Sequence, residues 1–457
     1  MKSPCSIKMA CILATVAVLA ATAACDSSGK TLGISNNQGA AGTSGSDCSG
    51  QPLVKAVSLA GASFQTCSGS IAEQRFTNAL CTCNDARIDG YLKTRGFDSE
   101  RDPDGTNNGG AAVSINNVYT NLALSAAAYT DVFGSLAISG SAPSTYYGYM
   151  KVAGDLRTTG AVTEFGYINV ARDTWSAGDL ICMGYTAVGR DAHYAAGFPV
   201  VATVGGKLLN EAVRVDQMCP CGPADVLDVA AIVADGKAHN DNQAAGIDPT
   251  LFNAVVGTVE ATLPCGRIYV EQITVVGELV LNVTGPTALF VGGSVDILGS
   301  IQVNLAPQAT IDIFVTNTLG LVGRAAFGDE KRPAASRIYV GGEDAIALTT
   351  YETFVGNLYA PRARVAAPVY IRVLGAVVAR DFEVPGYAQF TYDRAVNRAG
   401  DGCKAAPISA CTKCSGCTGG AACVDGSCKS CSKDSDCCSQ MGCNAGTGKC
   451  EPLQVAF

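Results

Sequence analysis

The residues with the greatest capacity for chemistry in this 457-residue chain are its 22 cysteines. Eleven crowd into one segment: Cys403, Cys411, Cys414, Cys417, Cys423, Cys428, Cys431, Cys437, Cys438, Cys443 and Cys450. Two chemistries fit that spacing. Cys411, Cys414 and Cys417 form C-x2-C-x2-C, and Cys428 with Cys431 adds a further C-x2-C, which suits zinc or an iron–sulfur cluster. The segment's only large apolar residues are Ile408, Val424 and Met441, so it cannot build a core and needs a covalent staple. Eight more cysteines lie upstream, at Cys48, Cys67, Cys81, Cys83, Cys182, Cys219, Cys221 and Cys265, and are read with the tail as disulfide candidates.

The remaining reactive groups are sparse. His193 and His239 are the only histidines, and neither sits in H-E-x-x-H or a triad context; His193, beside Asp191, reads as a solvated corner residue. No G-x-S-x-G, P-loop or dinucleotide fingerprint occurs. The stretch from Glu100, E-R-D-P-D-G-T-N-N, places Asp102, Asp104 and Gly105 in the register of a calcium loop, but Ala111 stands where the bidentate glutamate belongs. An acidic surface loop is the preferred reading. No cofactor is expected.

Two periodic sets stand out. Tyr149, Tyr167 and Tyr185 recur every 18 residues, as do Val152, Val170 and Val188, and Asp155, Asp173 and Asp191. An exposed tyrosine ladder would offer a platform for sugar rings, and a buried or half-buried one, the preferred reading, would stack within the coil. Stacked carboxylates could gather cations, but aspartate is a common corner residue and Arg172 and Arg190 adjoin the set, so a structural role is expected.

Short β-prone units punctuated by Gly and Asp leave no room for amphipathic helices. Repeated at one interval, they describe a mainly β fold, a parallel β-solenoid of ~18-residue coils about 4.8 Å apart. Valines would fill its interior while glycine and aspartate turn its corners. The chain divides as follows: residues 1–24 a signal peptide, 25–47 a tether, 48–110 a cysteine-containing cap region, 111–209 the first solenoid part. An excursion follows over 210–264, with a short helix expected over Ala224 to Asp235, then a second solenoid part over 265–400 and the disulfide-rich module over 401–457.

The address is export. Lys2 and Lys8 precede an uncharged run from Met9 to Leu19, then small residues lead to Cys25. T-A-A-C at Thr22 to Cys25 resembles a bacterial lipobox, which makes Cys25 the lipidation candidate. Asp26 to Ser46 is the polar, glycine- and serine-rich tether that holds a folded body off a membrane. Outer membrane or cell surface is preferred over inner membrane. An oxidising compartment favours disulfides over metal in the tail. Removing Cys5, Cys11 and the lipidated Cys25 leaves an odd number, whereas an unlipidated Cys25 would leave an even one. Loss of Lys2 and Lys8 takes the formal charge from −8 to −10, which disfavours nucleic acid as a partner.

Two segments carry resemblances. Phe354 to Val396, with F-V-G-N-L-Y-A-P-R-A-R-V, G-A-V-V-A-R-D-F-E-V and Q-F-T-Y-D-R-A-V, resembles the C-terminal coils of an uncharacterised bacterial surface β-solenoid family. That family is pilus-tip-like and similar in build to the polymer-forming bactofilins; the likeness extends over Gly110 to Val396 and implies a structural or adhesive part. Cys431 to Cys450 resembles knottin-like or Dickkopf-like cystine modules, which implies that vicinal Cys437 and Cys438 bond separate partners. The function expected is non-enzymatic: a lipid-anchored solenoid for adhesion, envelope structure or partner binding, with envelope polysaccharide or surface proteins as partners. A polysaccharide lyase or hydrolase using Asp235 or Asp241 in the excursion is the rival. A metal or redox module in the tail is the third reading.

Overall fold

The computed structural model describes residues 57–58, 65–66, 68–103, 110–115, 117–118, 129–140, 143–146, 148–216, 219, 221–222, 224–348, 353–401, 422–424, 427–429, 431–433, 436–437, 441–444 and 449–452. The chain winds into a parallel β-solenoid of about 13 turns. Its cross-section is three-sided. One side is a nine-stranded sheet continued by a four-stranded one, the second a sixteen-stranded sheet, and the third includes two separate three-stranded sheets.

Alternation along each short strand sets the core. In Tyr149–Val152 and Tyr167–Val170, Met150, Val152, Ile168 and Val170 point inward, while Tyr149, Lys151, Tyr167 and Asn169 point out. Val132, Val152, Val170 and Val188 form one interior column, none more than 2% exposed. Each such burial contributes about 1.5–3 kcal/mol. The corners need glycine because coils pass so close: a Cβ on Gly166 would lie 1.5 Å from the Gly148 carbonyl oxygen. The aspartate column ties one coil to the next. Asp173 Oδ1 accepts the Asp191 amide at 3.0 Å, and Asp191 Oδ1 accepts the Lys207 amide at 2.7 Å. That is the structural role expected of it.

The two solenoid parts form one stack, in an order the chain does not follow. Val377–Val384 pairs in parallel with Leu80–Thr82 and Asp85–Ile88, and Tyr387–Asp393 pairs with Tyr91–Phe97 along seven residues. Residues 258–393 therefore spiral toward the middle of the stack, and residues 80–210 continue the same spiral outward. The cap region read over 48–110 thus contains a central coil, and Thr258–Leu263, placed in the excursion, belongs to the second part.

The described residues between 211 and 257 carry the chain back along the outside. Their helix, α2 (Val229–Ala238), starts later than expected because Asp228 caps it, accepting the Ala231 amide at 2.9 Å. Helix α1 (Ser68–Arg75) lies at the same covered face. Beneath these elements the outward side of the sixteen-stranded sheet carries a buried aromatic stack, Phe290–Phe314–Tyr339, with centroids 5.5 and 4.6 Å apart. Gly236 of α2 rests on Phe290, where any Cβ would collide with the ring. A buried ion pair completes this interface: Arg337 donates through Nε and Nη2 to Asp312 at 2.6 and 2.8 Å, and Ser68 Oγ donates to Asp312 at 2.6 Å.

Disulfides Cys81–Cys219 and Cys83–Cys221 fasten the returning chain to the central coil. In the tail, Cys431–Cys443 and Cys437–Cys450 are bonded, beside two antiparallel hairpins.

Candidate functional site

The nine-stranded sheet carries a regular column of surface tyrosines. Tyr149, Tyr167 and Tyr185 stand in direct register on adjacent strands. The column extends further, through Tyr129, Tyr91, Tyr387 and Tyr370, and so runs across the junction of the two chain halves. Five rings form a continuous stack: Tyr370–Tyr387, Tyr387–Tyr91, Tyr91–Tyr129 and Tyr129–Tyr149 lie at 5.1, 4.8, 4.9 and 5.1 Å with interplanar angles of 21° or less. In such a stack ring faces cover one another, so edges and hydroxyls meet solvent. The stack then breaks. Tyr167 tilts 47° from Tyr149, and Tyr167 and Tyr185 are 55% and 39% exposed. The preferred half-buried reading therefore describes Tyr149, while the other two expose aromatic surface.

A polar column runs beside the rings: Gln389, Lys93, Asp131, Lys151 and Asn169 are in register. Tyr387 donates its hydroxyl to Gln389 Oε1 at 3.2 Å, and Tyr185 donates to Thr203 Oγ1 at 2.6 Å. Burial, followed by the neighbouring Asp131 carboxylate, pushes the Tyr91 hydroxyl up to about 12, and the same two causes raise Tyr129. These phenols stay protonated at physiological pH. They can donate and accept hydrogen bonds, which suits a polyhydroxylated or amide-bearing ligand rather than nucleophilic chemistry. Tyr91, Tyr129, Tyr370 and Tyr387 escaped the sequence reading because their spacing departs from 18. The available signal was the tyrosine that opens each strand just past a corner.

On the second side a different stack forms. The Arg157 guanidinium lies 4.8 Å from the Trp175 ring centroid, and Trp175 stacks on His193 at 5.2 Å. His193 Nδ1 is 2.6 Å from Glu211 Oε1, with its side chain 17% exposed. His193 is thus a stacked and paired residue, not the solvated corner residue expected, because its strand, Ala192–Tyr194, places it directly under Trp175.

The other candidates are dispersed. Asp235 Oδ1 lies 3.1 Å from His239 Nδ1 at the end of α2, and Asp241 Oδ2 accepts the Arg267 amide at 2.8 Å. Both belong to the segment that covers the sheet. Asp102 donates its amide to the Asp98 carbonyl in a turn, and Asp104 lies outside the described residues. Cys265 is disulfide-bonded. Cys182, read as a disulfide candidate, is instead a free thiol whose Sγ donates to the Gly166 carbonyl at 3.3 Å. The reason is its ladder: its register neighbour is Glu164, not a cysteine. Cys25, Cys48, Cys67, Cys403, Cys411, Cys414, Cys417 and Cys438 lie outside the described residues, as do the side chains of Cys423 and Cys428. An interior cavity of about 20 Å³ at the central coil, lined by Leu80, Ile88, Leu92, Leu136 and Tyr146 among others, has room for a water molecule only.

Residues 221–399 match the model of a Domain of unknown function (DUF7305). The DUF7305 match opens at a cystine, Cys221, takes in α2 and the inward-spiralling coils, and closes just past the central junction. The outward-spiralling coils with Tyr149, Tyr167 and Tyr185 lie beyond it. No curated protein matches the chain. Among solved structures, an ice binding protein from an Antarctic bacterium, Flavobacteriaceae, is 8% identical, with 69% of this chain and 80% of that chain covered and a TM-score of 0.15.

Proposed function

We propose that this is a non-enzymatic, exported lipoprotein, anchored at Cys25 and held off the membrane by the 26–46 tether, whose solenoid presents an adhesive surface to envelope polysaccharide. The observation that carries the reading is the seven-tyrosine column, which closes its own ring faces at Tyr387, Tyr91 and Tyr129 and exposes aromatic surface at Tyr167 and Tyr185, as it does at Tyr370 at its other end. Exposed ring faces stack on sugar rings, and the adjoining hydroxyls and Asn169 supply hydrogen bonds to sugar hydroxyls. A solenoid suits this task because coil stacking fixes the spacing of the contact groups without loop ordering. The resemblance to bacterial surface solenoids supports the same role.

The test is co-sedimentation of the purified chain with insoluble envelope polysaccharides, alongside Tyr167→Ser/Tyr185→Ser and Tyr129→Ser. Binding that falls at least about tenfold in the double variant but survives in Tyr129→Ser, whose ring is stacked on both faces, is expected. Equal binding by all three chains would remove the tyrosine surface from the proposal. Release of oligosaccharide products, abolished by Asp235→Asn or Asp241→Asn, would replace it with the lyase or hydrolase reading.

A further inference from the structure

The two ends of the solenoid are finished differently. At one end, residues 248–257 close the first coil: Phe252 and Val255 are 0% and 1% exposed, and Val255 bridges to Val275. At the other end the core is left bare by the described residues. Val204 terminates the column Val132, Val152, Val170, Val188, and Leu208 terminates Leu136, Leu156, Thr174, Ala192. Every predecessor in both columns is at most 2% exposed, yet Leu208 is 52% exposed and Val204 partly so. Val200 and Val201 beside them are 101% and 59% exposed. Ala202–Val204 and Leu208–Asn210 are the last strands of their sheets, so two strand edges open toward the same end, while Leu180 on the third side donates its amide to the Gly197 carbonyl of the last coil at 2.9 Å. Repeat proteins ordinarily close such an end with a polar cap, because bare edges and core residues recruit another chain.

We propose that this open end is an interface with a second copy of this chain, the two solenoids meeting end to end about a two-fold axis. Two observations select that occupant. A three-sided coil edge is matched in outline by another coil of the same cross-section, whereas at the opposite end Asp241, Asn242 and residues 248–257 cover two of the three sides and leave only the edge of Thr258–Leu263, so two like ends match best. The charges also permit it. Residues 196–216 carry Lys207, Glu211, Arg214 and Asp216, a balanced set in a chain with a formal charge of −8, so this end is where two acidic molecules approach without repulsion. An isologous contact of this kind closes at two subunits and does not propagate into a fibre.

Sedimentation velocity on the full chain over a micromolar concentration series tests the proposal. A reversible dimer is expected, with its dissociation constant raised at least about tenfold by Val201→Lys and by Leu208→Lys. Hydrogen exchange provides a second reading that does not depend on the variants: amides of Ala202–Val204 and Leu208–Asn210 should gain protection as concentration rises, while those of Thr258–Leu263 should not. A chain that stays monomeric throughout the series overturns the proposal. So does a dimer indifferent to both substitutions and to exchange at these strands, and so do filaments, which require two unlike ends.

Discussion

Tyr387 and Tyr91 stack with ring centroids 4.8 Å apart and planes 15° apart, although they belong to opposite halves of the chain. Their strands pair in parallel over seven residues and join the two spirals into one solenoid. Around them Asn84 donates to Asp381 at 2.8 Å, and Glu383 lies between Arg364 and Arg87. The junction is therefore continuous in backbone pairing, in stacking and in polar contacts. Tyr91→Ser removes two stacked neighbours and should cost about 1–3 kcal/mol, at about 0.5–1.5 kcal/mol per aromatic pair. A double-mutant cycle with Tyr387→Ser, read by denaturant unfolding, should show coupling of about 0.5–1.5 kcal/mol. Additive losses would mean that the stack contributes nothing beyond area.

The ion pair under α1 is a separate point of vulnerability. Asp312 is fully buried and accepts both Arg337 nitrogens as well as Ser68 Oγ. Asp312→Ala leaves a buried guanidinium without its partner, and should cost about 3–5 kcal/mol. Replacing both residues at once, Asp312→Leu with Arg337→Met, should recover most of that loss, because burying two charges is itself expensive. Thermal unfolding of the three variants distinguishes an indispensable pair from one that is merely intolerant of being halved.

The returning chain depends on its cystines. Cys81→Ser/Cys219→Ser should lower stability by about 2–5 kcal/mol, the usual effect of removing a native disulfide. It should also expose residues 211–228 to limited proteolysis before the coils are cut. Cys182→Ser, which removes only a thiol–carbonyl contact, should stay within about 1 kcal/mol of the parent.

The coil pattern was readable from residues 148–191 because identical residues stack on identical residues there, and a period of 18 is the length of one turn. The order of the stack was not readable. Parallel pairing between Tyr387–Asp393 and Tyr91–Phe97 leaves no periodic trace, since nothing in either segment's spacing refers to the other. The extended tyrosine column was hidden for a related reason: corners of different length separate Tyr91, Tyr129 and Tyr149 while the strands remain in register. Cys182 misled because a cysteine in a chain read as exported suggests pairing, whereas its neighbours are decided by the ladder. The excursion and its short helix were readable, but not where the helix docks, because the aromatic face beneath it belongs to strands beyond Gly266.

Glu164 gives the molecule a defined response to pH. It points into the solenoid on the strand Val162–Glu164, only 1% exposed, between Tyr146 and Cys182 in its ladder. Burial pushes its carboxyl from 4.5 up to about 7, against the opposing hydrogen bond from the Gly166 amide at 2.8 Å. The folded chain therefore holds this proton more tightly than the unfolded chain does. Stability from this group is full below about pH 4.5, falls as pH rises, and is gone above about pH 7, a change on the order of 2 kcal/mol. Glu164→Gln keeps the shape and removes the titration. Denaturant midpoints measured from pH 5 to 8 should fall for the parent and flatten for the variant, with the variant the more stable at pH 8. Parallel profiles for the two chains would show that Glu164 ionises in the coil without cost, and that a solvent path reaches it.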